Sequence, residues 1–167
     1  MQRFSLSAQL RRNLWAMLAL LLVARLISLA LLPLTDNTEA RYGEIARKML
    51  ETANWVTPWY DYGVPFWGKP PLSTWLSAAS MGVFGINAFA ARLPCLLLGF
   101  GVLWMVWRLG ARHHNRDFSL LSIVLLSSLP LFFVTSGTVM TDASLAFSTC
   151  LSFTACWLAM VEADSRS

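Results

Sequence analysis

The stretch LWAMLALLLVARLISLALLPL, residues Leu14–Leu34, is an apolar run of about 20 residues whose one charge is Arg25. At 1.5 Å per residue it covers roughly 30 Å, the hydrocarbon thickness of a bilayer. Arg3, Arg11 and Arg12 precede it, the flank a secretory signal peptide would also carry. The run is too long for such a peptide's core, however, and passes into Pro33-Leu34-Thr35-Asp36 rather than a small-residue cleavage site. Comparable runs follow at Phe89–Leu109, Phe118–Ser136 and Ala143–Val161. With 56% hydrophobic and 13% charged residues and a mean hydropathy of +0.55, the chain is too apolar for a soluble domain of its size. The expected class is an all-α integral membrane protein of about four transmembrane helices, residues 1–167 forming one membrane domain.

A shorter apolar segment, Leu72–Gly85, decides which side every later residue faces. If it stays out of the membrane, Arg3, Arg11, Arg12, Arg108, Arg112, Arg116 and Arg166 share one face, which the positive-inside rule makes cytoplasmic. If it crosses, the Arg108–Arg116 loop moves outside and the rule is broken. A 14-residue stretch is also short for a span. Four spans with both termini in the cytoplasm are therefore expected, and Asp142 falls on the same outer face as the loop 35–88.

That outer loop is far longer than a turn between packed helices requires, and it mixes both charges with aromatics. Tyr42, Ile45, Ala46, Met49 and Leu50 recur at helical spacing while Glu39, Glu44, Arg47, Lys48 and Glu51 fall on other faces, which predicts an amphipathic helix along the outer membrane surface. Asp36 and Glu39 have the D-x-x-E spacing of a capping box. Trp55, Trp59, Tyr60, Tyr62, Phe66 and Trp67 suit an interfacial aromatic belt. Cys95, Cys150 and Cys156 lie in apolar runs without paired spacing and read as small buried side chains. His113-His114 sits in a basic loop and reads as a solvated face. Arg25, costly in lipid, is expected to face the bundle interior or snorkel. The charge pattern gives no sign of a nucleic-acid partner.

The outer charges are Asp36, Glu39, Glu44, Glu51, Asp61 and Asp142 against Arg41, Arg47, Lys48, Lys69 and Arg92. A near-balanced set beside lipid suits a substrate needing a base at one end and a cationic cradle at the other. A polyprenyl-phosphate sugar is such a substrate. A carboxylate would take the proton of an acceptor hydroxyl, and cations would stabilise the departing phosphate.

The run Thr38-Glu39-Ala40-Arg41-Tyr42-Gly43-Glu44-Ile45-Ala46-Arg47-Lys48-Met49, with Asn54-Trp55-Val56-Thr57-Pro58, Lys69-Pro70-Pro71, Phe89-Ala90-Ala91-Arg92-Leu93-Pro94 and Gly137-Thr138-Val139-Met140-Thr141-Asp142, resembles the N-terminal part of the polyprenyl-phosphate-dependent glycosyltransferases. These GT-C fold enzymes include aminoarabinose transferases acting on lipid A and protein O-mannosyltransferases. The resemblance implies a bacterial inner-membrane glycosyltransferase with its site on the periplasmic side. It makes Arg41 and Lys69 donor-phosphate ligands and Asp36, Glu39 and Asp142 the catalytic carboxylates, with Tyr42, Arg92 and Trp67 as further substrate contacts. Two departures stand out. The family's adjacent acidic pair is Thr38-Glu39 here, so Asp36 and Glu39 are assigned jointly, and Gly68 replaces an acidic residue before the lysine. Family members carry about a dozen spans, so the chain corresponds to part of a longer architecture, and a second chain supplying the remaining spans is one expectation. No cofactor is required by the pattern; the carboxylates leave room for a divalent metal without having a spacing that demands one. The competing expectation is a non-catalytic membrane subunit that keeps the fold without the activity.

Overall fold

The computed structural model describes residues 4–34 and 36–164. Arg3 and Arg166, which entered the charge argument, and Thr35 lie outside the described residues. The elements are α1 (Ala8–Leu31), α2 (Asn37–Thr52), a hairpin of β1 (Trp59–Asp61) and β2 (Val64–Pro65), α3 (Leu72–Phe84), α4 (Ala88–His113), α5 (Arg116–Ser128), α6 (Pro130–Thr135) and α7 (Asp142–Asp164).

Among the described residues, three helices are long and apolar enough to cross a membrane: Ala8–Leu31, Ala88–His113 and Asp142–Val161. The third expected span, Phe118–Ser136, departs from the sequence reading, being two helices rather than one. Pro130 opens α6, and the residue before it, Leu129, takes an extended conformation at φ −66°, ψ 125°. The proline ring disfavours the helical region for its predecessor and lacks the N–H that would continue the ladder. Even so, α5 and α6 together run between the same two ends of the bundle as the longer helices. At one end the Leu6 N–H donates to Asp117 (2.9 Å), Arg11 pairs with Asp117 (3.1 Å), and Trp157 Nε1 donates to His113 Nε2 (3.0 Å). At the other, Arg92 reaches the carbonyls of Leu32 and Pro33, and the Val139 N–H reaches Glu39. The chain therefore traverses the bundle four times, once by a broken helix.

The outer-loop elements gather at the second end. Asp36 caps α2, its Oδ2 accepting from the N–H groups of Thr38 (2.9 Å) and Glu39 (3.1 Å). The apolar face of α2 does not lie on lipid as expected. Tyr42, Ile45, Ala46 and Met49 are buried in one cluster with Ala78 and Met81 of α3, Ala90 and Ala91 of α4, and Val139. The reason is α3, which is 13 residues long, about 20 Å, and so is free to lie against α2 instead of crossing. Buried Ser77 docks it on α4 by donating to the Ala91 carbonyl (2.9 Å). The loop is also not wholly helical. The Phe66 N–H closes on the Pro58 carbonyl (2.8 Å), and Gly63 turns the β1–β2 hairpin at φ +79°, a region glycine enters without steric cost. By contrast, α1 and α7 present exposed Leu20, Ile27, Leu145 and Phe153, the surface a lipid-facing helix needs.

Arg25 faces the interior, 7% exposed. Its Nη2 donates to the Val134 carbonyl (2.5 Å) and the guanidinium stacks on Phe133 at 4.8 Å. Gly137 lies directly against it, and a Cβ there would overlap the Arg25 guanidinium. Of the cysteines, Cys95 is buried as expected, while Cys150 is half-buried and Cys156 exposed, on a helix whose outward face needs only to be apolar.

Candidate functional site at the charged end of the bundle

Pairing divides the charges at this end into two groups. The first group is tied off. Arg47 bonds Glu44 through Nε and Nη2 (2.8 Å each) and Glu51 through Nη1 (2.8 Å). The bond from Arg47 holds the Glu44 carboxyl below its ordinary value, and Glu44 in turn raises the Arg47 guanidinium. Lys48, assigned to the polar face from sequence, is buried and donates to the Tyr60 carbonyl and to Asp61, both at 3.0 Å. That bond, followed by one from the Tyr62 N–H, keeps the Asp61 carboxyl below its ordinary range. Lys48 thus fastens the hairpin onto α2.

The most enclosed pair is Glu39 with Arg92, 3% and 5% exposed. Arg92 Nε and Nη2 donate to the two carboxylate oxygens at 2.7 Å each, in the fork-to-fork arrangement that suits guanidinium and carboxylate. Glu39 Oε1 also accepts from the Val139 N–H at 3.0 Å. The capping box is therefore half realised. Asp36 caps the helix, but Glu39 turns inward to α4 and to the segment before α7 instead of reaching back.

The second group is open. Arg41, Lys69 and Asp142 are exposed and form no ion pair among the described residues. Arg41 lines a polar cleft of about 450 Å³ with Asn37, Glu44, Lys48, Tyr60 and Asp61, its guanidinium 5.8 Å from the Tyr60 ring. Lys69 lies in the connection from β2 to α3 and Asp142 opens α7. Neither lines that cleft. Asp142 follows the turn fixed by the Val139–Glu39 bond and by the contact of Cys95 Sγ with the Met140 carbonyl (3.9 Å).

Of the remaining expected contacts, Tyr42 is 7% exposed and packs edge-on to Phe66 at 5.9 Å, which makes it a core residue. Trp67 is 72% exposed. Among the described residues, no three of His, Cys, Asp or Glu converge as a metal set. Sequence reasoning missed Asn37, Lys48, Tyr60 and Asp61 as cleft residues. The Asp61-Tyr62-Gly63 turn and the four-residue spacing of Glu44 and Lys48 were signals for three of the cleft's walls.

This geometry has close counterparts. The family model described as dolichyl-phosphate-mannose-protein mannosyltransferase matches residues 14–167. Undecaprenyl phosphate-alpha-4-amino-4-deoxy-L-arabinose arabinosyl transferase of Shewanella sediminis is 31% identical over 118 residues, 67% of this chain and 21% of its own length. The Pseudomonas fluorescens transferase 1 of the same name is 30% identical over 159 residues, 92% of this chain and 27% of its own. Among solved structures, ArnT from Cupriavidus metallidurans bound to undecaprenyl phosphate superposes with a TM-score of 0.75 at 25% identity, over 86% of this chain and 26% of that one. The chain thus spans about a quarter of the length of the proteins it matches. A pattern shared from Leu14 to the last residue, on a bundle with the shape of a GT-C membrane domain, makes this chain a member of the dolichyl-phosphate-mannose-protein mannosyltransferase family.

Proposed function

We propose that the chain contributes the donor-phosphate end of a membrane glycosyltransferase, which moves a sugar from a polyprenyl-phosphate carrier to a hydroxyl of lipid A, a glycan or a protein. The observation that carries this reading is the division of charges. Every other ionisable residue discussed at this end is neutralised or capping, whereas Arg41, Lys69 and Asp142 are exposed beside an apolar bundle and form no ion pair among the described residues. The related structure holding undecaprenyl phosphate supports a lipid-phosphate donor. Arg41 binds phosphate oxygens by its fork and Lys69 by its compact charge, and together they stabilise the phosphate as the sugar departs. Asp142 accepts or orients the acceptor hydroxyl, with Asp36 as the second carboxylate near the start of α2. The four traverses cross a bacterial inner membrane with both termini in the cytoplasm and this end toward the periplasm.

The test is transfer of labelled sugar from polyprenyl phosphates in membranes, with and without the products of adjoining reading frames. Asp142→Asn and Lys69→Ala should each lower transfer by about 10²-fold or more, the scale of losing a charge-stabilising group, while insertion is unchanged. Normal transfer by both variants would remove the assigned roles.

A further inference from the structure

Resting on that reading, we propose that Glu39 and Arg92 are positioning residues, a buried clamp that sets Asp142 in register with Arg41 and touches no substrate itself. Both carboxylate oxygens of Glu39 and four of the five N–H donors of Arg92 are engaged within the protein. With 3% and 5% exposure they have almost no surface to offer a ligand. What they join is informative. Glu39 lies two residues before Arg41 on α2, Val139 lies three residues before Asp142, and Arg92 stands on α4 between them while holding the Leu32 and Pro33 carbonyls at the end of α1. One carboxylate thereby ties the phosphate-binding helix to the peptide that delivers the catalytic aspartate. The same peptide is held from below by Arg25 at Val134 and by the close seat of Gly137. Two hydrogen-bonded points, three and eight residues ahead of Asp142, leave its backbone little freedom.

A buried ion pair is in itself weak evidence of stabilisation, because apolar residues of like volume commonly replace it without loss. An apolar pair would not accept the Val139 N–H, however, and the register would go. That difference supplies the test, made on the full chain in lipid nanodiscs with Cys150 and Cys156 changed to Ser. Spin labels at Thr52→Cys on α2 and Ser148→Cys on α7, both outside the clamp, report the distance between the two helices. Glu39→Gln, Arg92→Lys and the double variant Glu39→Met/Arg92→Met are compared with the parent for distance distribution, melting temperature and transfer.

The clamp predicts that the double variant recovers the melting temperature of the parent but keeps a broadened distance distribution. Its turnover should fall on the order of 10²-fold, the cost of displacing a reacting group by about an ångström, with donor KM within about twofold of the parent. Arg41→Ala should instead raise the donor KM. Unbroadened distances in all three variants, or a double variant that recovers turnover along with its melting temperature, would overturn the proposal. Absence of transfer by the parent would count against the functional reading alone, since the distances still decide whether the clamp sets the register.

Discussion

Glu39 shows how one side chain's meaning depends on partners that local sequence does not display. The D-x-x-E spacing correctly marks Asp36 as the cap of α2. It misplaces Glu39, which it would turn back to the cap, because the partners of Glu39 lie 53 and 100 residues away and meet it only when α4 and the segment before α7 have docked. Lys48 is a similar case: read as a polar-face residue, it is buried because the hairpin folds over it and supplies Asp61. Acid should undo this second contact. A carboxyl held below its ordinary value stabilises the fold fully above that value and loses the contribution as pH falls through the depressed one. The ordinary values are 3.8 for Asp61 and 4.5 for Glu44, so the contribution is complete at neutral pH and fades below about pH 4. Asp61→Asn should raise amide exchange across residues 59–65 at pH 7, and the wild-type protein, corrected for intrinsic rates, should approach the variant as pH falls toward 3. Equal exchange in both proteins at pH 7 would show that the Lys48 bond does not hold the hairpin.

Among the elements, the long helices were legible because lipid imposes length and apolarity together. The expected spans 14–34, 89–109 and 143–161 correspond to α1, α4 and α7, with ends moved by a few residues. The break between α5 and α6 was carried by a single residue inside a continuous apolar run, so hydropathy passed over it although Pro130 was in plain view. Ser127 and Ser128 donate to the Val124 and Leu125 carbonyls just before the break, offering those groups a partner as the helix ends. Pro130→Ala should let α5 and α6 merge, lengthening the distance between labels placed at Ser122 and Thr135 and disturbing the seat of Gly137 against Arg25. An unchanged distance would mean that packing, not the proline, makes the break. The hairpin was the least legible element. Its strands have three and two residues, too few for any periodicity, and only Asp61-Tyr62-Gly63 announces the turn.

For the molecule as a whole, the arginine pattern leads to an expectation of four membrane crossings, and three helices among the described residues are long and apolar enough to make one. Sidedness itself is testable. A membrane-impermeant thiol reagent should label Gly63→Cys from the periplasmic side of intact cells, and Asn115→Cys only after the membrane is opened. Labelling of both from outside would refute the orientation. The candidate site was legible as a set of charges but not as a sorted one, because sorting depends on which cations find carboxylates once the helices pack.

The wide sequence separation of the Glu39 contacts also imposes an order on biosynthesis. At about 5–20 residues per second, roughly 3–10 s pass between synthesis of Glu39 and of Arg92, 53 positions later, and about twice that before Val139, 100 positions later, is made. During that interval α1 is already made while the carboxylate at the head of α2 has neither of its permanent partners. The nascent loop must wait at the membrane surface, its geometry provisional, until the last of the three segments arrives to lock it.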